Sequence, residues 1–135
     1  MVLITGGYGY LGGRIADHLI KSGEMVIIGS RKVDRRMFNE LKGHKVVEID
    51  LLSLDSLKNA CNGIVSIIHL AGMGSKECSL DPKQALFING LGVLNLLDAA
   101  KQCKVKNFFY FSTMHVYGSL LKGSYNENTL LKPDG

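Results

Sequence analysis

Charge of either sign is in small excess in this chain: 16 lysines and arginines face 12 carboxylates, a net +4 over 135 residues. Only the stretch Arg31-Lys32-Val33-Asp34-Arg35-Arg36 gathers that charge. The other lysines are scattered, which is the pattern of a solvated surface, and no nucleic-acid partner is expected. Cysteine is scarce too. Cys61, Cys78 and Cys103 are odd in number and lack C-x-x-C spacing, which excludes a disulfide framework and leaves free thiols of a reducing compartment. His18, His44, His69 and His115 have no metal-ligand spacing, so no metal site is expected. No apolar run approaches the roughly 20 residues of a membrane helix, and the first apolar strand begins at Val2, ahead of which a signal peptide does not fit. The expected setting is cytoplasmic, with no membrane partner. With only two prolines and no low-complexity stretch, the chain holds no evident linker and reads as one domain's worth of sequence.

What is present is an alternation of short apolar runs and amphipathic segments. Val2–Thr5 predicts a first strand, and the segment from about Gly9 to Lys21 a helix ended by Ser22-Gly23. Met25–Gly29 is a second strand. A short helical piece near Met37–Leu41 leads to a third strand over Lys45–Leu51. Ser53 caps a helix to about Cys61, closed by Asn62-Gly63, and Ile64–Ala71 has the continuous apolar character of a strand covered on both faces. After a polar loop, Asp81-Pro82 starts a helix expected to reach Cys103, and Asn107–Thr113 is a fifth strand. Five strands with helical crossovers imply an α/β fold, a doubly wound parallel sheet of Rossmann type that stops after its fifth strand.

Glycine is the residue whose placement carries chemistry. Gly6, Gly9 and Gly12 stand three apart in T-G-G-Y-G-Y-L-G, directly after the first strand and at the opening of the first helix. In that context the first glycine permits a tight turn, the second lets backbone approach a pyrophosphate, and the third allows close packing of the helix. The amides and positive dipole end of the helix then favour an anion. The rest of the motif, Tyr10 and Leu11, lies in that same first turn. A carboxylate at the end of the second strand ordinarily holds the ribose 2′-hydroxyl of NAD. Here Ser30 and Arg31 take that place, with Lys32 and Arg35 close in sequence. They suit a 2′-phosphate better, so NADP is favoured over NAD.

These motifs together resemble the extended short-chain dehydrogenase/reductase family, the NAD(P)-dependent epimerases and dehydratases of nucleotide sugars. The Thr5–Gly12 run is similar to the family's T-G-x-x-G-x-x-G. The resemblance places Asp50 and Leu51 against adenine, and Leu70, Ala71 and Gly72 of His69-Leu70-Ala71-Gly72 along the cofactor ribose. Ser79 to Pro82, then Asn89, Gly92 and Asn95-Leu96-Leu97, match S-x-x-D-P and N-x-x-G-x-x-N-L-L, which puts Asn89 near the cofactor. Phe111-Ser112-Thr113-Met114-His115-Val116-Tyr117-Gly118 matches the segment that carries the family's catalytic hydroxyl, and Thr113 takes that position. The implied substrate is a nucleotide sugar, with hydride passing between a sugar carbon and the nicotinamide.

One part of the resemblance does not extend. The family's acid-base tyrosine belongs to a Y-x-x-x-K motif, yet the residues four after Tyr8, Tyr10, Tyr110, Tyr117 and Tyr125 are Gly12, Arg14, Met114, Leu121 and Thr129. Glu127-Asn128-Thr129 and Pro133 resemble the segment that precedes that motif. The expectation is therefore the dinucleotide-binding portion of a longer epimerase, dehydratase or reductase, lacking the tyrosine and the substrate domain and inactive alone. A sensor or scaffold module that keeps dinucleotide binding without chemistry is the alternative. The resemblance also implies a possible homodimer through the Pro82–Cys103 helix. Two glycines inside that helix, Gly90 and Gly92, cost about 1 kcal/mol each relative to alanine, a cost that close approach to the sheet or cofactor would explain.

Overall fold

The computed structural model describes residues 1–32, 44–118 and 123–133. Five parallel strands lie in the order β3-β2-β1-β4-β5: β1 Val2–Thr5, β2 Val26–Ser30, β3 Lys45–Glu48, β4 Ser66–His69 and β5 Asn107–Tyr110. β1 is central, with Val2–Thr5 in register with Val26–Gly29 on one side and Ser66–His69 on the other. The chain moves outward from β1 through β2 to β3, then returns across β1 to β4. That reversal places the topological switch point, the crevice such sheets use for ligands, at the carboxyl end of β1.

Helices cover both faces. Leu3 and Ile67 point into a core with Leu57, Ala60 and Cys61 of α2 (Leu54–Cys61) and Leu96, Ala99 and Ala100 of α5 (Gly92–Gln102), all nearly inaccessible to solvent. Ile4 and Ile28 point the opposite way, onto Ala16 of α1 (Tyr10–Lys21). The alternation along β1 is thus the strand period of two, with both parities apolar because both faces are covered.

The helix boundaries follow local chemistry. Ser53 caps α2, its Oγ accepting from the Ser56 N–H at 3.3 Å. Asp81 caps α4 (Pro82–Ala85), accepting from the Gln84 N–H at 2.9 Å with proline in the first helical turn. Gly23 and Gly63 adopt positive φ just beyond α1 and α2, as helix ends favour.

Several sequence expectations are corrected. The strands are shorter than their apolar runs: β3 ends at Glu48, β4 spans Ser66–His69 and β5 stops at Tyr110. The residues trimmed after Glu48, His69 and Tyr110 leave the ladder to form loops at the sheet's carboxyl edge, whereas Ile64 and Val65 precede β4 at its amino edge. The polar loop after Ala71 contains a helix, α3 (Ser75–Leu80). The helix expected over Pro82–Cys103 is divided: between α4 and α5, Leu86–Leu91 is π-helical. Its glycines differ in kind. A Cβ on Gly92 would stand 2.9 Å from Leu51 Cβ, so close approach explains that residue, whereas one on Gly90 would meet only Leu86 Cδ1 at 3.5 Å, an ordinary contact. The helical piece near Met37–Leu41 and the side chain of Arg35 lie outside the described residues.

Candidate functional site

A cleft of about 300 Å³ opens where the strands end. One wall is the β1–α1 turn, with Gly6, Tyr8 and Gly9; the opposite wall is the β4 exit, Leu70 to Met73. Gly29, Ser30 and Arg31 close one side beside Ile49, Asp50 and Leu51, and Glu77 and Ile88 close the other.

The turn needs glycine for two distinct reasons. Gly6 has φ +72°, the left-handed region, and a Cβ there would meet the Ala71 nitrogen at 2.8 Å. The two walls therefore touch through bare backbone. A Cβ on Gly12 would collide with the Gly6 carbonyl oxygen and stand 2.9 Å from Gly7 Cα, so the first turn of α1 packs onto the glycine turn itself as much as onto the sheet. The Gly9 N–H donates to the Gly6 carbonyl at 2.9 Å, which closes the turn.

The end of α1 that faces this cleft is open to an anion. Gly9 is its N-cap and supplies no side-chain acceptor, and its first turn holds no acidic residue. The leading N–H groups of a helix have no intrahelical acceptor, and here neither a cap nor a carboxylate competes for them. A 12-residue helix with this end presents backbone donors and positive potential together.

Of the residues singled out from the sequence, Gly6, Gly9, Ser30, Arg31, Asp50, Leu51, Leu70, Ala71 and Gly72 line one cleft, although they come from four strand ends. Tyr10 and Leu11 point to solvent, and Gly12 is buried behind the turn. The Ser30 hydroxyl donates to the Lys32 carbonyl at 2.9 Å, which folds the strand end and leaves Arg31 exposed at the rim. The Asp50 carboxylate accepts from the Leu52 N–H at 2.8 Å while its own N–H donates to Ser56 Oγ at 3.0 Å, fixing the β3 exit.

Asn89 does not line the cleft but clamps it. Its Oδ1 accepts from the Met73 N–H at 2.8 Å and its Nδ2 donates to the Met73 carbonyl at 3.1 Å. Both polar atoms of a loop residue are thus held from the π-helical turn. Thr113 stands at the carboxyl end of β5, exposed, where its Oγ1 accepts from the His115 N–H at 3.3 Å and caps a 3₁₀ turn over Met114–Tyr117.

Sequence reasoning missed Tyr8, Gly29, Ile49, Met73, Glu77 and Ile88 as lining residues. It expects no metal-ligand role for His69 and places it only at the head of the motif that the resemblance sets along the cofactor ribose. His69 is buried, with Thr5 Oγ1 2.6 Å from its Nδ1, and its ring stacks on Tyr110 at 5.8 Å. Burial lowers its pKa to about 4, so the ring is neutral near pH 7. The same physics pushes the buried Cys61 thiol up to about 11, helped by the nearby Cys103 thiol. Among the described residues no group of three or more His, Cys, Asp or Glu side chains is arranged to hold a metal ion, and no helix is long and apolar enough to cross a membrane.

A doubly wound sheet whose switch point carries a glycine turn and an uncapped helix end defines a Rossmann-type α/β protein. The chain belongs to the NAD dependent epimerase/dehydratase family, whose family model matches residues 2–134. It is similar to UDP-glucose 4-epimerase of Schizosaccharomyces pombe, with 31% identity over 127 residues that cover 87% of this chain and 36% of that protein. It is also similar to CDP-paratose 2-epimerase of Salmonella typhi, 33% identical over 136 residues that cover 93% of this chain and 40% of that protein. Among solved structures, UDP-glucose 4-epimerase of Thermus thermophilus in complex with NAD superposes with a TM-score of 0.82 and 28% identity, covering 98% of this chain and 44% of that one. MoeE5 in complex with UDP-glucose and NAD gives 0.82 and 27%, covering 98% and 42%. The chain spans only 31% to 40% of the length of curated relatives it matches, among them the Schizosaccharomyces pombe and Salmonella typhi epimerases and GDP-mannose 3,5-epimerase 1 of Oryza sativa.

Proposed function

We propose that the cleft binds a nicotinamide dinucleotide and that the chain serves a nucleotide-sugar epimerase, dehydratase or reductase. The observation that carries this reading is the open amino end of α1, free of a side-chain cap and of any carboxylate, set against a turn in which glycines leave backbone bare. In this reading Gly6, Gly9 and the first turn of α1 hold the diphosphate, Asp50 and Leu51 meet adenine, and Leu70 to Gly72 follow the ribose. Asn89 acts from behind the loop. The dinucleotide, when bound, supplies or accepts hydride; the protein's part is to hold and orient it. Thr113 donates its hydroxyl to the sugar oxygen at the reacting carbon.

Arg31 at the rim, with Ser30 and no carboxylate at the end of β2, favours NADP over NAD. Relatives have been solved with NAD, and the preference proposed here is this chain's own. Calorimetric titration of both coenzymes against the 135-residue chain tests the reading. Binding at micromolar to low-millimolar coenzyme supports it, and no heat from either at millimolar concentration overturns it.

None of the five tyrosines is followed four residues later by lysine, so these residues by themselves are proposed to bind without turnover. Rapid conversion of UDP-glucose or another nucleotide sugar by the purified chain would refute that. The same gap in the motif favours a second reading, a non-catalytic dinucleotide sensor or scaffold. An open reading frame that continues into Tyr-x-x-x-Lys decides for the enzyme. A homodimer through the Pro82–Cys103 segment, where Leu86 of the π-helical turn and Leu94 and Leu97 of α5 are exposed, belongs to the proposal as well. So does a cytoplasmic location, which three free cysteines suit.

A further inference from the structure

We propose that His69 is a positioning residue for the bound dinucleotide and acts through Thr5. The inference rests on the reading of the cleft as a dinucleotide site. Thr5 is the last residue of β1 and His69 the last of β4; the two are paired in register across adjacent parallel strands. Both are buried, at 0% and 1% exposure, the two buried polar side chains among the described residues in an otherwise apolar core. Thr5 Oγ1 lies 2.6 Å from His69 Nδ1 and accepts from the Ala71 N–H at 3.3 Å. The Thr5 carbonyl also accepts from the Leu70 N–H at 3.1 Å. One hydroxyl therefore joins the strand that enters the glycine turn to the loop that forms the facing wall.

The residues immediately beyond the pair are Gly6 on one strand and Leu70-Ala71-Gly72 on the other, all of which line the cleft. Gly6 and Ala71 are already at the limit of backbone approach, since a single added Cβ would stand 2.8 Å from the Ala71 nitrogen. A shift of a few tenths of an ångström at Thr5 is passed directly to the width of the cleft mouth. The imidazole is braced from behind by the rings of Phe108 and Tyr110, with centroids 6.1 and 5.8 Å away. Among the described residues its Nε2 has no hydrogen-bond partner. A buried polar atom left unpaired is costly, and it is tolerated where the group does something a hydrophobic residue does not. Here that is the fixing of Thr5 Oγ1 so that it receives the Ala71 N–H.

The test uses the 135-residue chain with NAD and NADP as probes, followed by calorimetry and thermal melting. Thr5→Val keeps shape and removes both hydrogen bonds; roughly tenfold weaker coenzyme binding is expected, the scale of one buried hydrogen bond. Thr5→Ser is expected to restore the wild-type constant within about threefold, the change being a single methyl. His69→Asn sets an amide atom where Nδ1 stands and is expected to bind nearly as wild type; His69→Gln carries the same group one methylene too far and is expected to bind as weakly as Thr5→Val. This second pair preserves the contrast should Thr5→Val fail to fold. Equal affinities for wild type, Thr5→Val and His69→Gln, with only the melting temperature lowered, would show the pair to be structural and overturn the inference alone. A wild-type chain that binds neither coenzyme would instead bring down the site assignment, and this inference with it.

Discussion

β1 and β5 are strands of one sheet with four residues each, yet they are finished to different degrees. Leu3, Ile4 and Thr5 in β1 are wholly inaccessible, paired on both sides and covered on both faces. β5 is an edge, and Phe109, Tyr110 and Phe111 at its end are 54%, 55% and 43% exposed. The cleft follows the first pattern. Its glycine turn, its helix end and its facing loop are tied by bonds among residues of this chain. The β5 end follows the second: Thr113 is held by the backbone of its own short turn, and an apolar surface continues from it. In the proposed reading, affinity for a dinucleotide is prepared within these residues, whereas the end proposed to meet substrate displays large apolar side chains of the sort that buried interfaces cover.

The sharpest way to break this contrast is at the turn. Gly12→Val places a branched side chain against the Gly6 carbonyl and Gly7 Cα, which are backbone and cannot rotate away. Destabilisation of about 3 kcal/mol or more and loss of measurable coenzyme binding are expected, read by denaturant melts and calorimetry. A variant that folds and binds normally would mean that the turn is not the rigid cradle described.

The next effect comes from His69. Its pKa is 6.5 when exposed and about 4 in the folded protein, so the unfolded chain takes up more protons between those values. Stability is full above pH 6.5, falls as pH drops towards 4, and changes no further through this group below that. The loss from this one residue is about 3 kcal/mol. Urea midpoints measured from pH 7 to 4 should show the decline, and His69→Asn should flatten it. An identical slope in the variant would assign the decline to other groups.

Smaller is the expected change at Arg31. Arg31→Ala should weaken NADP by about tenfold, the range of one charge-assisted contact, and leave NAD nearly unaffected. Equal losses for both coenzymes would place Arg31 on a group the two share.

The smallest change in stability is expected on the uncovered face. Leu94 and Leu97 are 61% and 41% exposed, so Leu94→Lys with Leu97→Lys should alter folding stability by only about 0.5 kcal/mol each. Light scattering should nonetheless show less self-association. If the parent chain is already a clean monomer at high concentration, that face needs no cover and the contrast between β1 and β5 loses its meaning.

The fold was legible because its signals are local. Apolar runs, Ser53 and Asp81 as caps, and glycines after helices each act within a few residues of themselves. Nine cleft residues were legible as well, since ligand-facing positions in a doubly wound sheet fall at strand ends, which sequence marks. What was not legible depends on pairs far apart in the chain. Nothing near His69 announces Thr5, 64 residues away, and nothing near Asn89 announces Met73, 16 residues away. The π-helical turn was hidden for a related reason. Apolar spacing over Leu86 to Ala100 reads as plain helix, and the extra residue is drawn in by contacts elsewhere, the Asn89 clamp and the seat of Gly92 on Leu51.

That widened turn works as a phase adjuster. One residue more than an α-helical turn rotates everything downstream by about 100°. Asn89 can face the cleft loop while Asn95 reaches the Leu51 carbonyl and Leu96 enters the core. Chain length between Asp81 and Leu96 is consequently quantised. Removing a single residue there would swing Leu96, Ala99 and Ala100 away from the sheet together, although each side chain is individually ordinary.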